Sequence, residues 1–340
     1  MTKYFPFIFF VLSLSSISLV SADEVVLKNG SRLVGEVLKK EDNTLEFKTP
    51  FAGTLKIKWE NIVEVKMDKA VKLLLEDDST QMANKLNNED DIIIVSKDSD
   101  SRVQTIKQSE MVYINPDPWR LGEGHKITGN LNIALKSQRG NTDKDEFDLD
   151  GAITFRGKKD RLVFRGEYEQ DKNNGIKTDL DWTFWGKYDY FFRKKTFLGG
   201  ATLFEKDEFA DLKLRQTYGV HIGHQYFESK AINLSVQAGF AQVFEDFYDA
   251  KDDDFFTGTW EINYDQYFFD EFVQPYHRQL GRLNLEDTSK YIFKSWTGLR
   301  FPLAYGFSVS GELQADYDSQ PADNSDKTDT TFRFKLGYDF

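Results

Sequence analysis

From Lys126 to Phe340 the chain returns again and again to one pattern, in which apolar and polar residues alternate singly. The closing stretch TFRFKLGYDF is the clearest case. Phe332, Phe334, Leu336, Tyr338 and Phe340 fall on one face of an extended segment, and Thr331, Arg333, Lys335, Gly337 and Asp339 on the other. KITGNLNIALK sets Ile127, Leu131, Ile133 and Leu135 against Asn130, Asn132 and Lys136, and DEFDLDGAITFRG sets Phe147, Leu149, Ile153 and Phe155 against Asp148, Asp150, Thr154 and Arg156. About twelve such segments follow one another, an even number as in single-chain bacterial outer-membrane barrels. Those around 197–204 and 272–285 fit least well. Pro275, Arg278 and Arg282 blur the second, so a bulge or a shifted boundary is expected there.

The two faces need different solvents. The chain is 15% aromatic yet 29% charged, and after its first residues no stretch is apolar enough for a spanning helix. Turning the last strand over would put Arg333 and Lys335 into lipid at roughly 2–4 kcal/mol each near a bilayer midplane. The charged face is therefore expected to line a lumen and the aromatic face to meet lipid. Closure into a barrel also removes the free edge of the last strand. Short gaps (GKKD, FRKK, ESK, FDE, RFPLAYG) alternate with longer polar ones such as QDKNNGIK and EDFYDAKDDD, the expected asymmetry of periplasmic turns and extracellular loops. Aromatic girdles are expected from Phe191, Phe192, Phe268, Phe269, Phe301 and Phe340 at the short-turn end. Phe244, Phe247, Tyr248, Phe255, Phe256 and Tyr317 would form the other.

The amino-terminal part reads differently. Lys3, an apolar stretch from Tyr4 to about Leu14 and the small residues Val20-Ser21-Ala22 predict a signal peptide over residues 1–22, cleaved before Asp23. The sequence has no Cys, so neither disulfides nor a lipid anchor on Cys holds the exported chain. Residues 23–115 predict a small periplasmic all-β domain of SH3/Sm-like hairpin type. In VVLKNGSRLVGEV, Asn29-Gly30 favours a tight turn, and LEFK, TLKIKW and IVEV supply further strands. A weaker copy at an offset of about 48 residues is one reading, matching Leu75 to Leu27, Ser79 to Ser31, Val95 to Phe47 and Tyr113 to Val65. There Asp77-Asp78 replaces Asn29-Gly30, so its turn chemistry is degraded; chance likeness of short strand units is the other reading. Residues 116–124, within NPDPWRLGEG, form a linker before a barrel over 125–340.

LKNGSRLVGEV and FAGTLKIKW in a small β domain, with a barrel ending in GYDF, resemble the YdiY-like, salt-induced outer-membrane protein family of Gram-negative bacteria. That family is long classed as a domain of unknown function. The resemblance implies an outer-membrane location and this two-part architecture, and brings no active site. Phe332, Phe334, Leu336, Tyr338 and Phe340 also look like the signal read by the outer-membrane assembly machinery.

Candidate chemistry is sparse. His221 and His224 sit three apart in a strand, hence on opposite faces, which makes a poor metal pair. No Ser is brought to His224 or His277 by spacing, so no lipid hydrolase can be assembled residue by residue. DAKDDDFF lacks the Gly of a calcium loop and DNSDKTD lacks its closing Glu. The lumen is the leading candidate, with Arg156, Arg161, Arg165, Lys187, Lys213, Arg215, Arg333 and Lys335 against Glu167, Asp179, Asp181, Glu261 and Glu312. These residues would line a wet pore or plug it, and Trp185 on the inward face favours narrowing. The reading is a non-enzymatic envelope barrel without cofactor, narrow-channel or structural. Its partners are outer-membrane lipids and lipopolysaccharide, assembly machinery, periplasmic chaperones and a small luminal solute. A formal net charge of -12 argues against nucleic acid. The rivals are an outer-membrane lipid-modifying enzyme and a soluble periplasmic ligand-binding β protein.

Overall fold

The computed structural model describes residues 22–89, 91–96, 104–138, 143–320 and 326–340. The expected signal segment lies, except for Ala22, outside the described residues, as does part of the DNSDKTD stretch. The chain divides into two compact units, Met1–Pro116 and Asp117–Phe340.

The first unit is a sheet built from hairpins. Its strands are β1 (Asp23–Leu27), β2 (Arg32–Glu41), β3 (Thr44–Thr49), β4 (Gly53–Lys58), β5 (Ile62–Leu75), β6 (Thr80–Glu89), β7 (Ile92–Ser96), β8 (Gln104–Lys107) and β9 (Met111–Ile114). They run in the order β4-β3-β2-β1-β5-β6-β7-β8, and β9 pairs with both β2 and β5. Alternate residues turn inward to a core that includes Val25, Phe47, Trp59, Ile62, Leu73, Leu86, Ile93 and Ile114. Hydrogen bonds recur along this unit. Leu27 N–H donates to Ser31 O and Leu75 N–H to Ser79 O, both at 2.9 Å; Lys28 N–H donates to Asn61 O at 2.9 Å and Glu76 N–H to Glu110 O at 2.8 Å. The second turn keeps the geometry of the first. Asn29 Oδ1 accepts from Ser31 N–H at 3.0 Å and Asp77 Oδ1 from Ser79 N–H at 2.9 Å, while Asp78 adopts the positive φ (67°) that Gly30 adopts at 84°. Aspartate supplies the same side-chain acceptor as asparagine and tolerates the left-handed region, so the turn survives the substitution. The register pairs Val25 with Val65 and Leu73 with Ile114, so the residue placed like Val65 is Ile114, one position beyond Tyr113.

The second unit is a closed antiparallel barrel of twelve strands. The first six are β10 (Lys126–Gln138), β11 (Lys144–Arg156), β12 (Asp160–Asn173), β13 (Ile176–Phe191), β14 (Thr196–Asp207) and β15 (Leu212–Glu228). The others are β16 (Ile232–Phe247), β17 (Asp253–Gln266), β18 (Gln274–Asn284), β19 (Tyr291–Pro302), β20 (Phe307–Asp318) and β21 (Thr328–Asp339). Each pairs with the next, and β21 closes on β10. The outer face carries exposed large apolar residues on nine of the twelve strands, among them Leu131, Tyr188, Ile222, Phe240, Leu313 and Phe334. Such an apolar belt is far larger than the patches soluble proteins expose. With polar groups inside and strands of 11–17 residues, this is a membrane-spanning β-barrel.

Of the two alternatives expected around 272–285, the shifted boundary is the one present: β18 starts at Gln274 and pairs regularly on both sides. Other details differ from the sequence reading. Strands extend into the polar gaps: in QDKNNGIK only Asn174 and Gly175 remain as a turn, both at positive φ, and in EDFYDAKDDD residues 248–252 remain, so among the described residues the loop asymmetry is weaker than expected. Phe191 faces inward, 4% exposed and packed 5.1 Å from Phe197, rather than joining a girdle. Within the expected linker, Pro118–Leu121 forms a 3-10 turn, and Trp119 is buried with the Arg156 guanidinium 5.2 Å from its ring.

Candidate functional site in the barrel interior

Register assigns the faces, because directly paired residues share one. Trp185 pairs with Arg165 and Leu203, Lys187 with Val163 and Ala201, and Arg278 with Asn263 and Trp296, which puts this polar set inside. Burial agrees with the register: Asp189 is 0% exposed, Glu261 2% and Lys187 4%. Charges this deep persist only when paired and hydrogen-bonded.

The expected residues gather into linked groups. Toward the β11–β12 turn, Arg156 holds Glu228 through Nε at 2.6 Å and Nη2 at 3.0 Å. Beside it Asp189 accepts from Arg161 Nε at 2.7 Å and lies 2.6 Å from His221 Nε2. At the waist Lys187 Nζ donates to Gln237 at 2.8 Å and Glu261 at 3.1 Å, and Arg165 Nη2 donates to Asn263 at 3.2 Å. Arg278 Nη1 reaches Glu167 at 3.2 Å. Arg165 and Arg278 each lie 5.3 Å from the Trp185 ring, and Arg278 4.7 Å from that of Trp296. Since β12 and β18 stand six strands apart in a ring of twelve, the Arg278–Glu167 bond spans the barrel.

A third group joins the last strand to the first ones. Lys335 Nζ lies 2.7 Å from both Asp150 and Glu312, Tyr276 donates to Glu312 at 2.9 Å, and Arg333 pairs with Asp148 at 3.2 Å and with Glu169. Nearer the opposite mouth, Glu205 pairs with Arg282 at 3.0 Å and Arg215 at 3.6 Å, and Arg215 also with Glu245. Glu169, Asp171 and Asp179 bring carboxylate oxygens within 4.8 Å of one another. Asp181 pairs in register with Glu169 and Asp207. Lys213 is exposed at the register shift between Leu212 and Leu214, and the structure does not bring it into these groups.

The sequence reading missed Asp189, Glu205, Arg278, Arg282 and the pairing role of His221. Strand parity marks the first two. In β18 the outward positions hold His277, Gln279 and Gly281, so the usual contrast between faces is absent. That strand is masked instead by its neighbour: a Cβ on Gly281 would meet the Trp260 ring at 1.9 Å, and Trp260 Nε1 donates to Gln279 at 3.3 Å. The outward imidazoles of His224 and His277 face threonine hydroxyls, Thr196 at 3.1 Å and Thr297 at 2.8 Å. A hydroxyl–imidazole pair alone is not a catalytic triad.

Fold and interior together define a membrane β-barrel protein with an ion-paired interior. The chain belongs to the family described as "Protein of unknown function, DUF481", which matches residues 131–340, and the YdiY-like resemblance is consistent with that assignment. No protein among those with curated functions matches the chain in sequence. Among solved structures it is similar to the NanC porin, at 8% identity and a TM-score of 0.40, over 63% of this chain and 99% of that one. The translocator domain of the autotransporter NalP from Neisseria meningitidis is 10% identical with a TM-score of 0.38, over 63% of this chain and 88% of that one. The KdgM porin is 11% identical at 0.34, over 63% and 99%.

Proposed function

We propose that this protein is an outer-membrane barrel of the cell envelope whose waist is braced closed by its own side chains, a structural component with narrow conductance at most. The observation that carries this reading is the Arg278–Glu167 bond across the interior, flanked by Arg165, Trp185 and Trp296. A twelve-strand interior lies between filled small barrels and open porins, so side chains decide its bore. Here both signs meet in the middle and neutralise one another instead of lining a path. The protein is read as non-enzymatic, with membrane lipids and lipopolysaccharide against the apolar belt. The amino-terminal unit is read as periplasmic and as two copies of one hairpin unit, a reading supported by its recurring hydrogen bonds.

The test is reconstitution in planar bilayers, with insertion verified by heat-modifiable migration on gels. The expected outcome is silence or small steps. Large, stable porin-like steps from the unaltered chain would overturn the braced-waist reading.

A further inference from the structure

Between the waist and the Glu205 group the interior is not filled. A cavity of about 120 Å³ lies there, walled by Trp185, Leu203, Ala241, Leu280 and Ile292. It exists because the inward positions of three neighbouring strands are small: Ala201 on β14, Gly219 on β15 and Ala241 on β16. The charged side chains at its wall each have a counter-charge: Glu261 has Lys187 at 3.1 Å, Arg282 and Glu205 have each other at 3.0 Å, His221 has Asp189 at 2.6 Å and Lys294 has Asp316 at 3.6 Å. Two lining hydroxyls, those of Thr202 and Thr217, have no hydrogen-bond partner; Thr202 pairs with Gly186 and Tyr218 on the outward face, so the inward one is that of Thr217. Thr217 lines the cavity, is only 9% exposed, and its Oγ1 has no hydrogen-bond partner. Buried hydroxyls are ordinarily satisfied, so a lone one facing an apolar hollow marks a place for a ligand's polar group.

We infer that this cavity is a binding site for a small neutral ring carrying one hydroxyl, of the phenol class. The volume suits a single ring, since a dry engineered cavity of about 150 Å³ takes up benzene. Net charge on the ligand is disfavoured, because every charged group at the wall already has its counter-charge and a newcomer would leave one unpaired. A sugar is disfavoured by the scarcity of free donors and acceptors. A phenol places its ring against Trp185, Leu280 and Ile292 and its hydroxyl against Thr217 Oγ1. This site does not depend on whether the barrel conducts.

The experiment uses the full chain refolded in detergent micelles, with 4-fluorophenol and fluorobenzene as fluorine-NMR probes and empty micelles as the blank. Saturable binding of 4-fluorophenol above the blank is expected. Thr217→Val should weaken 4-fluorophenol about three- to tenfold, the worth of one hydrogen bond, and leave fluorobenzene unchanged. Ala241→Leu should fill the hollow and abolish both. Uptake no greater than in empty micelles, or insensitive to both substitutions, would overturn the site. If Ala241→Leu loses heat-modifiable migration, the blank and Thr217→Val decide alone.

Discussion

Lys40 is the most unusual single residue of the amino-terminal unit. It lies in β2, where a lysine ordinarily reads as surface, yet it is 5% exposed. Its ammonium donates to the carbonyls of Asp42 at 2.8 Å, Met111 at 3.2 Å and Val112 at 3.4 Å, beside the Trp59 ring at 5.6 Å. Asn88, in β6, does the same with the carbonyls of Ile62 at 2.9 Å and Trp59 at 3.3 Å. Nothing in the spacing announces these caps, because apart from Asp42 their acceptors arrive from 26 to 72 residues away. Burial pushes the Lys40 ammonium down to about 8, against a smaller raising effect of Asp42. An unfolded chain holds that proton up to about 10.4, so between these values it binds more proton than the folded unit does. Stability of this unit should therefore rise with pH from about 8 to 10.4, by about 3 kcal/mol at most. In a fragment spanning 22–116, Trp59 is the only tryptophan, and its fluorescence can follow urea unfolding at pH 7 and pH 10. The midpoint should be higher at pH 10, and Lys40→Met should flatten the difference. An equal slope in both proteins would remove Lys40 as its source.

At the scale of elements, the seam between β21 and β10 stands apart. It holds four register pairs, from Asn130–Asp339 to Ile133–Leu336, where β10 and β11 share thirteen. Gly129 and Phe340 extend it by a reciprocal pair of backbone bonds at 2.8 and 2.9 Å. A Cβ on Gly129 would lie 2.4 Å from the Phe340 ring, so the glycine lets that ring lie across the seam. Beyond Ile133 backbone pairing stops and side chains take over. Lys335 and Arg333 reach past β10 to Asp150 and Asp148 on β11, and Arg333 reaches Glu169 on β12. Arg333→Ala should therefore cost more than a surface ion pair, about 3–5 kcal/mol, since it strands two carboxylates in the interior. The checking measurement is the temperature at which the barrel loses its fast-migrating gel form, compared with that of Lys230→Ala at an exposed pair. Equal transitions would mean that the clasp adds nothing to closure. Strand number and inward faces were legible from period-two alternation, since each slip would bury apolar residues in the wrong solvent. Strand ends were not, because polar residues such as Asp171, Lys172 and Asn173 continue a barrel strand beyond the membrane as readily as they form a loop.

Across the whole molecule, alternation reveals which residues face inward but not which of them meet, because it carries no information about position around the ring. Arg165, Glu167, Lys187 and Glu261 could each be placed inside from the sequence. That Arg278 would reach Glu167 from the opposite wall could not, and β18 hid its own faces behind Trp260. This contact makes the bore a property of closure rather than of any one strand, and its removal is the sharpest test of the braced waist. Arg278→Ala takes away the bridge and also the cation stacked between Trp185 and Trp296. It leaves Glu167 without that partner and opens space in the middle of the barrel. In planar bilayers the variant should give steps several times larger than the unaltered chain. Because freed carboxylate charge then faces the opening, those steps should favour cations, read as a shift of reversal potential in a salt gradient. Trp185→Ala should widen the same place without adding charge, raising conductance with little change in selectivity. If both variants insert and stay as silent as the parent, the occlusion lies elsewhere along the axis, and the Arg278–Glu167 brace only stabilises the barrel.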